Sequence, residues 1–129
     1  MATDELRQYI VVNRGLRMSP GKLAAQVAHA AVAFLLHSTD LDVQALGTWA
    51  EQGEAKVVLS VPDQAGLDAL VGRALDHGLV EGRDFFCIRD ACRTELTPDE
   101  TGSRWTCVGF APATTGDMGS VTGSLPLYR

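Results

Sequence analysis

Residues 18–30, Met-Ser-Pro-Gly-Lys-Leu-Ala-Ala-Gln-Val-Ala-His-Ala, limit what this chain can fold into more than any other stretch. Ser19 has the short acceptor side chain of a helix N-cap. Pro20 suits the first helical position, where a missing N–H costs nothing. Beyond them only Lys22, Gln26 and His29 interrupt an alanine-rich run. Their i, i+4, i+7 spacing predicts a single polar row on an otherwise apolar helix. A surface helix is polar over most of its circumference. The pattern therefore predicts close packing through the alanines at 24, 25, 28, 30, 31 and 33. The polar row is then either a thin solvated stripe or one wall of a cleft.

The rest of the chain reads as β-α-α-β-α-β-β-α. Strands are expected at 7–13, 56–61, 84–89 and 104–111, each a short run rich in β-branched or aromatic residues. The helix starting at Pro20 is expected to reach His37. A second follows an N-cap at Thr39 or Asp40 and stops at Gly53, a third spans 63–77, and a short one lies around 114–120. This order predicts an α/β fold with a small, mostly parallel four-stranded mixed sheet and helices on both faces. The last long strand follows its predecessor through a loop and is expected to run antiparallel. At 129 residues the chain is expected to be a single domain with a core that needs no staples.

Composition narrows the class. No apolar run approaches the length of a membrane span, so no membrane partner is expected. The acidic, polar start, Met-Ala-Thr-Asp-Glu, is unlike a signal peptide, which predicts a cytoplasmic protein. The three cysteines, Cys87, Cys92 and Cys107, form no CxxC pair, and the three histidines form no HExxH pattern. No metal site is expected. The net charge of −5 hides an asymmetry: residues 7–39 carry four bases and no acid, whereas residues 40–84 carry nine acids and three bases. The polar row lies in the one basic third of an acidic protein, where local potential steers an anionic partner.

In open α/β sheets ligands bind beyond the carboxyl ends of the strands. Two segments leave strand ends with suitable chemistry: Arg14 to Lys22 with the row behind it, and Arg89-Asp-Ala-Cys-Arg-Thr-Glu95. If the first and third strands run the same way, Lys22, Gln26 and His29 face Asp90, Arg93 and Thr94.

Three motifs resemble those of the type 2 peptidyl-tRNA hydrolases. They are Met18-Ser19-x-Gly21-Lys22-x-Ala24-Ala25-Gln26-x-Ala28-His29, Arg89-Asp90-Ala91-x-Arg93-Thr94, and Val108-Gly109-x-Ala111-Pro112 followed by Val121-Thr122-Gly123-x-Leu125. Order and spacing agree over essentially the whole chain. The resemblance implies a three-layer α/β/α sandwich, often a homodimer. It implies hydrolysis of the ester joining a peptide to the terminal ribose of tRNA, with no metal and no organic cofactor. Carried over by position, the catalytic residues are Lys22, Asp90 and Thr94. Ser19, Gln26, His29 and Arg93 support or bind. As a basic group flanking this site, Arg14, Arg17 and Arg93, with Arg104, are expected to meet phosphates. The chain departs from the family pattern with Cys92 in place of glycine, Glu95 in place of glutamine, Phe110 in place of proline and Pro126 in place of lysine.

Ester hydrolysis needs an activated water, stabilisation of the oxyanion and a proton for the leaving hydroxyl. Asp90 and Thr94 suit the water, and a charged Lys22 paired with Asp90 suits the oxyanion. Four other readings compete. Ser19-x-x-Lys22 matches the serine acyl-enzyme motif, but its companion elements are missing. Cys92 as a nucleophile lacks a neighbouring histidine in the sequence. A binding module without catalysis, or an enzyme for another acyl substrate, would keep the same cleft.

Overall fold

The computed structural model of the protein describes residues 5–129, so most of the acidic start lies outside the described residues. Strand β1, Leu6–Asn13, leads through a single 3-10 turn, Arg14–Leu16, into helix α1, Pro20–His37. Helix α2, Val43–Glu51, strand β2, Lys56–Val61, and helix α3, Gln64–Asp76, follow. Strand β3, Phe85–Asp90, strand β4, Arg104–Phe110, the short strand β5, Ala113–Thr114, and helix α4, Thr115–Thr122, complete the order. Each α-helix starts on a side-chain cap of the preferred kind: Ser19, Asp42, Asp63 and Thr114. The cap of α2 is Asp42, two or three residues beyond the expected positions, because Asp42 rather than Thr39 or Asp40 accepts the N–H of Ala45.

The sheet order is β2-β1-β4-β3, with β5 paired to the start of β1. β1 and β2 are parallel, and β4 runs antiparallel to both β1 and β3. Three of the four long strands thus point the same way and β4 alone is reversed, as the loop before it predicts. Among the described residues the sheet has five strands rather than four, because Ala113–Thr114 adds two residues beside Leu6 and Arg7. β4 enters between β1 and β3, so most strand pairings are antiparallel although most long strands are co-directional.

Alternation along β1 sets the layers. Tyr9 and Val11 face Leu67, Leu70 and Ala74 of α3 and Met118 and Val121 of α4. Ile10 and Val12 face Ala30 of α1. Trp49 of α2 packs edge-on against Phe34 of α1, ring centroids 5.8 Å apart. Helices α1 and α2 therefore cover one face and α3 and α4 the other. Gly109 on β4 permits the closest of these approaches, because a Cβ there would lie 2.3 Å from the carbonyl oxygen of Ala30.

The alanines of α1 pack less completely than the sequence predicts. Ala30 and Ala33 are buried and Ala31 is half-buried, but Ala24, Ala25 and Ala28 are exposed, together with Val32, Leu35 and Leu36. The outer edge of the sheet at β2 is closed by the C-terminal tail. Ser60 N–H donates to the Pro126 carbonyl at 3.0 Å, and Tyr128 N–H donates to that of Val58 at 2.9 Å. Phe110, at a departure from the family pattern, is buried in the α3 face beside Phe85.

Candidate active site

Two local patterns converge at the ends of β1 and β3. The first is the opening turn of α1, where the Ser19 hydroxyl accepts the Lys22 N–H at 3.5 Å. The second is the alternation along β3, where Phe86 and Ile88 face α1. Asp90 is two residues further on and emerges on that same face. Lys22 Nζ donates to Asp90 Oδ1 at 2.8 Å and to Thr94 Oγ1 at 3.1 Å. Gln26 Nε2 donates to the same Oδ1 at 3.2 Å, and the Cys92 N–H donates to Oδ2 at 3.0 Å. The Lys22 and Asp90 side chains each keep 12% of their surface exposed, so the pair is sheltered but reachable.

Burial alone would raise the pKa of Asp90. The hydrogen bonds from Lys22 and from the Cys92 N–H, together with the Lys22 charge, outweigh it and hold the carboxyl below its ordinary value. Asp90 is therefore a carboxylate at neutral pH. Cys92 itself adopts a left-handed conformation with φ of 58°. Glycine reaches that region without strain, which accounts physically for the glycine the family pattern has here.

Behind the pair lies a buried polar layer, of which the sequence marks Gln26 but not its partner Thr106. Gln26 is 2% exposed, and its Oε1 accepts the Thr106 hydroxyl at 2.6 Å. Thr106 is fully buried in the middle of β4. Threonine is an ordinary strand former, so nothing in Arg-Trp-Thr-Cys-Val marks it out.

The other site residues divide. Ser19 sits at the rim, its hydroxyl and N–H donating to Glu95 Oε1 at 2.5 Å and Oε2 at 2.8 Å. These two bonds hold the Glu95 carboxyl below its ordinary value. Arg14, Arg17 and Arg93 are exposed, and their side chains take no part in the hydrogen bonds around Asp90. His29 is also exposed, and its ring stays outside that network. The buried line of α1 runs Gln26, Ala30, Ala33. At 100° per residue His29 falls well to one side of it. Arg104 stands opposite Asp90 in register, and its guanidinium donates to the Thr97 carbonyl at 2.7 Å.

A cavity of about 590 Å³ lies elsewhere, between the end of α1, the start of α2 and residues 83–84. Two of the carboxylates lining it have internal partners: Asp42 caps α2, and Asp84 accepts from Val80 and Arg83. Among the described residues no group of three or more His, Cys, Asp or Glu side chains is placed to hold a metal ion. No helix among them is long and apolar enough to cross a membrane.

The family model described as Peptidyl-tRNA hydrolase PTH2 matches residues 6–128. The chain belongs to this family. A peptidyl-tRNA hydrolase of Methanopyrus kandleri is 39% identical over 95% of this chain and 98% of its own length. One from Sulfurisphaera tokodaii is 35% identical over 94% and 97%. The mitochondrial peptidyl-tRNA hydrolase 2 of Bos taurus is 37% identical over 98% of this chain, which spans 66% of that longer protein. The family match takes in both arms of the site, from the N-cap of α1 to the loop after β3.

Proposed function

We propose that the chain hydrolyses the ester between a peptide, or an N-blocked amino acid, and tRNA, with Lys22, Asp90 and Thr94 at the reacting bond and residues 1–129 acting as one domain. The observation that carries this reading is Lys22 Nζ held between Asp90 Oδ1 and Thr94 Oγ1, in a chain of this family.

A carboxylate held below its ordinary pKa is a weak base, which suits Asp90 to orienting a water rather than stripping it beforehand. Thr94 Oγ1 is a second partner for that water. As the water oxygen bonds to the ester carbonyl carbon, its proton passes to Asp90, and the carbonyl oxygen takes up negative charge beside Lys22 Nζ. Collapse breaks the bond to the ribose oxygen, which takes the proton back from Asp90. The products are a free peptide acid and a tRNA with its terminal hydroxyl restored.

Arg14, Arg17 and Arg93 are exposed around this site, and we assign them to backbone phosphates, with Ser19 and His29 on the same approach. Binding through them weakens steeply with salt. The reading extends to a cytoplasmic protein that pairs with a second copy through the exposed Val32, Leu35 and Leu36 of α1, a point light scattering decides.

The test is release of N-acetyl-aminoacyl-tRNA beside free aminoacyl-tRNA. Wild-type protein should cleave the blocked substrate, and Asp90→Ala should fold and fail. Equal cleavage by Asp90→Ala, or none by wild type, overturns the proposal.

A further inference from the structure

The pairing of β3 with β4 contains an irregularity beside the site. Ile88 pairs with Cys107, but Arg89 pairs with Trp105, so Thr106 is the extra residue of a β-bulge. Its neighbours show the consequence. Trp105 and Val108 pack on the α3 face, and Cys107 packs on the α1 face. Strict alternation would send Thr106 to the α3 face with Val108. The bulge instead puts it beside Cys107 on the α1 face, against Gln26.

Thr106 has one hydroxyl proton and two acceptors near it. Gln26 Oε1 lies at 2.6 Å and the Ile88 carbonyl at 3.3 Å, so the proton goes to Gln26. Thr106 and the Asp90 carboxylate together set which way the Gln26 amide points. With Oε1 taken by Thr106, Nε2 faces Asp90 Oδ1. The reverse orientation would press an amide oxygen against a carboxylate oxygen.

We propose that Thr106 is a positioning residue: its hydroxyl, brought to the α1 face by the bulge, locks the Gln26 amide with its NH2 toward Asp90. Thr106 touches no substrate and acts through Gln26. The inference rests on the proposed function for its kinetic readout only, because the state of Asp90 is measured separately.

The experiment compares Thr106→Val, which keeps shape without the hydroxyl, with Thr106→Ser, which keeps the hydroxyl. Asp90 is followed by carboxyl-carbon NMR across pH, and turnover of N-acetyl-aminoacyl-tRNA is split into kcat and KM. The titratable and charged side chains around Asp90 include Lys22 on α1, Arg89 on β3, Arg104 on β4, and Cys92, Arg93, Glu95 and Asp99 on the following loop; none changes in these variants. In Thr106→Val the Asp90 titration should move up as one donor is lost. Its kcat should fall on the order of ten- to a hundredfold at unchanged KM, the size expected when a reacting group drifts by about 1 Å. Thr106→Ser should restore both. On a Gln26→Ala background, Thr106→Val should add little. If the valine variant does not fold, Thr106→Cys, with its weak donor, is judged by the same criteria. An unmoved Asp90 titration, or an equal kcat loss on the Gln26→Ala background, overturns the proposal. An inactive wild type whose Asp90 titration still responds to Thr106→Val refutes the hydrolase reading and supports the positioning role.

Discussion

Replacing Lys22 by methionine keeps most of the stem of the side chain and removes only the ammonium. At 2.8 Å from Asp90 Oδ1, and at an effective dielectric constant of about 20, the gross attraction is about 6 kcal/mol. Most of that is offset by desolvation. Exposed pairs are worth about 0–1 kcal/mol, and breaking buried ones costs about 3–5. With 12% of each side chain exposed, and with Gln26 and the Cys92 N–H still on the carboxylate, a loss of about 1–3 kcal/mol follows. The folded pKa of Asp90 lies below its ordinary 3.8. The pair therefore contributes fully above about pH 4 and fades as pH falls through the lower folded value. Urea unfolding should show Lys22→Met less stable than wild type at pH 7, with the gap narrowing below pH 4. Removal of a donor from an oxyanion typically costs about 2.7–4 kcal/mol, so kcat should drop about a hundred- to a thousandfold. A variant with wild-type kcat, or a stability gap that does not depend on pH, would refute the assignment of Lys22.

Three further outcomes follow from the same structure. Glu95→Gln keeps an acceptor for Ser19 and removes a negative charge at the rim. Its tRNA affinity should exceed that of wild type at low salt and converge with it at high salt, as read by filter binding. Cys92→Gly relieves a left-handed residue while leaving the N–H on Asp90, so its thermal midpoint should be no lower than that of wild type. Cys92→Val, β-branched, should melt earlier. In Gly109→Ala the new Cβ would sit 2.3 Å from the Ala30 carbonyl oxygen, and α1 must shift. It should lose about 1–3 kcal/mol in urea unfolding, and it should lose turnover as well, because Lys22 and Gln26 ride on α1.

Much of the fold was legible because its signals are local. Ser19 with Pro20 is a cap that acts within one turn, and Lys56–Val61 is a short β-rich run whose bounds match those expected. The juxtaposition of Lys22 with Asp90 was legible for a different reason: both leave strands that run the same way. Three features were not legible. The burial of α1 depends on which residues meet β4, so the exposure of Ala24, Ala25 and Ala28 could not be read from an apolar pattern alone. His29 shares the polar spacing of Lys22 and Gln26, but the phase of the helix is set by its packing through Ala30 and Ala33. Thr106 escaped because a bulge changes which face a strand residue takes, and a bulge is a property of two strands, not of one sequence window.

The central position of β4 bears on how this protein comes into being. The half of the site on α1 and the half on β3 share no direct strand pairing; β4 joins β1 to β3. Yet β4 is the last of the long strands to leave the ribosome. A nascent chain that stops short of Arg104 already contains Lys22, Gln26, Asp90 and Thr94, but nothing in the sheet aligns them. The site is therefore a late product of synthesis, and its assembly waits on sequence-distant pairing, the slow kind of contact in small domains.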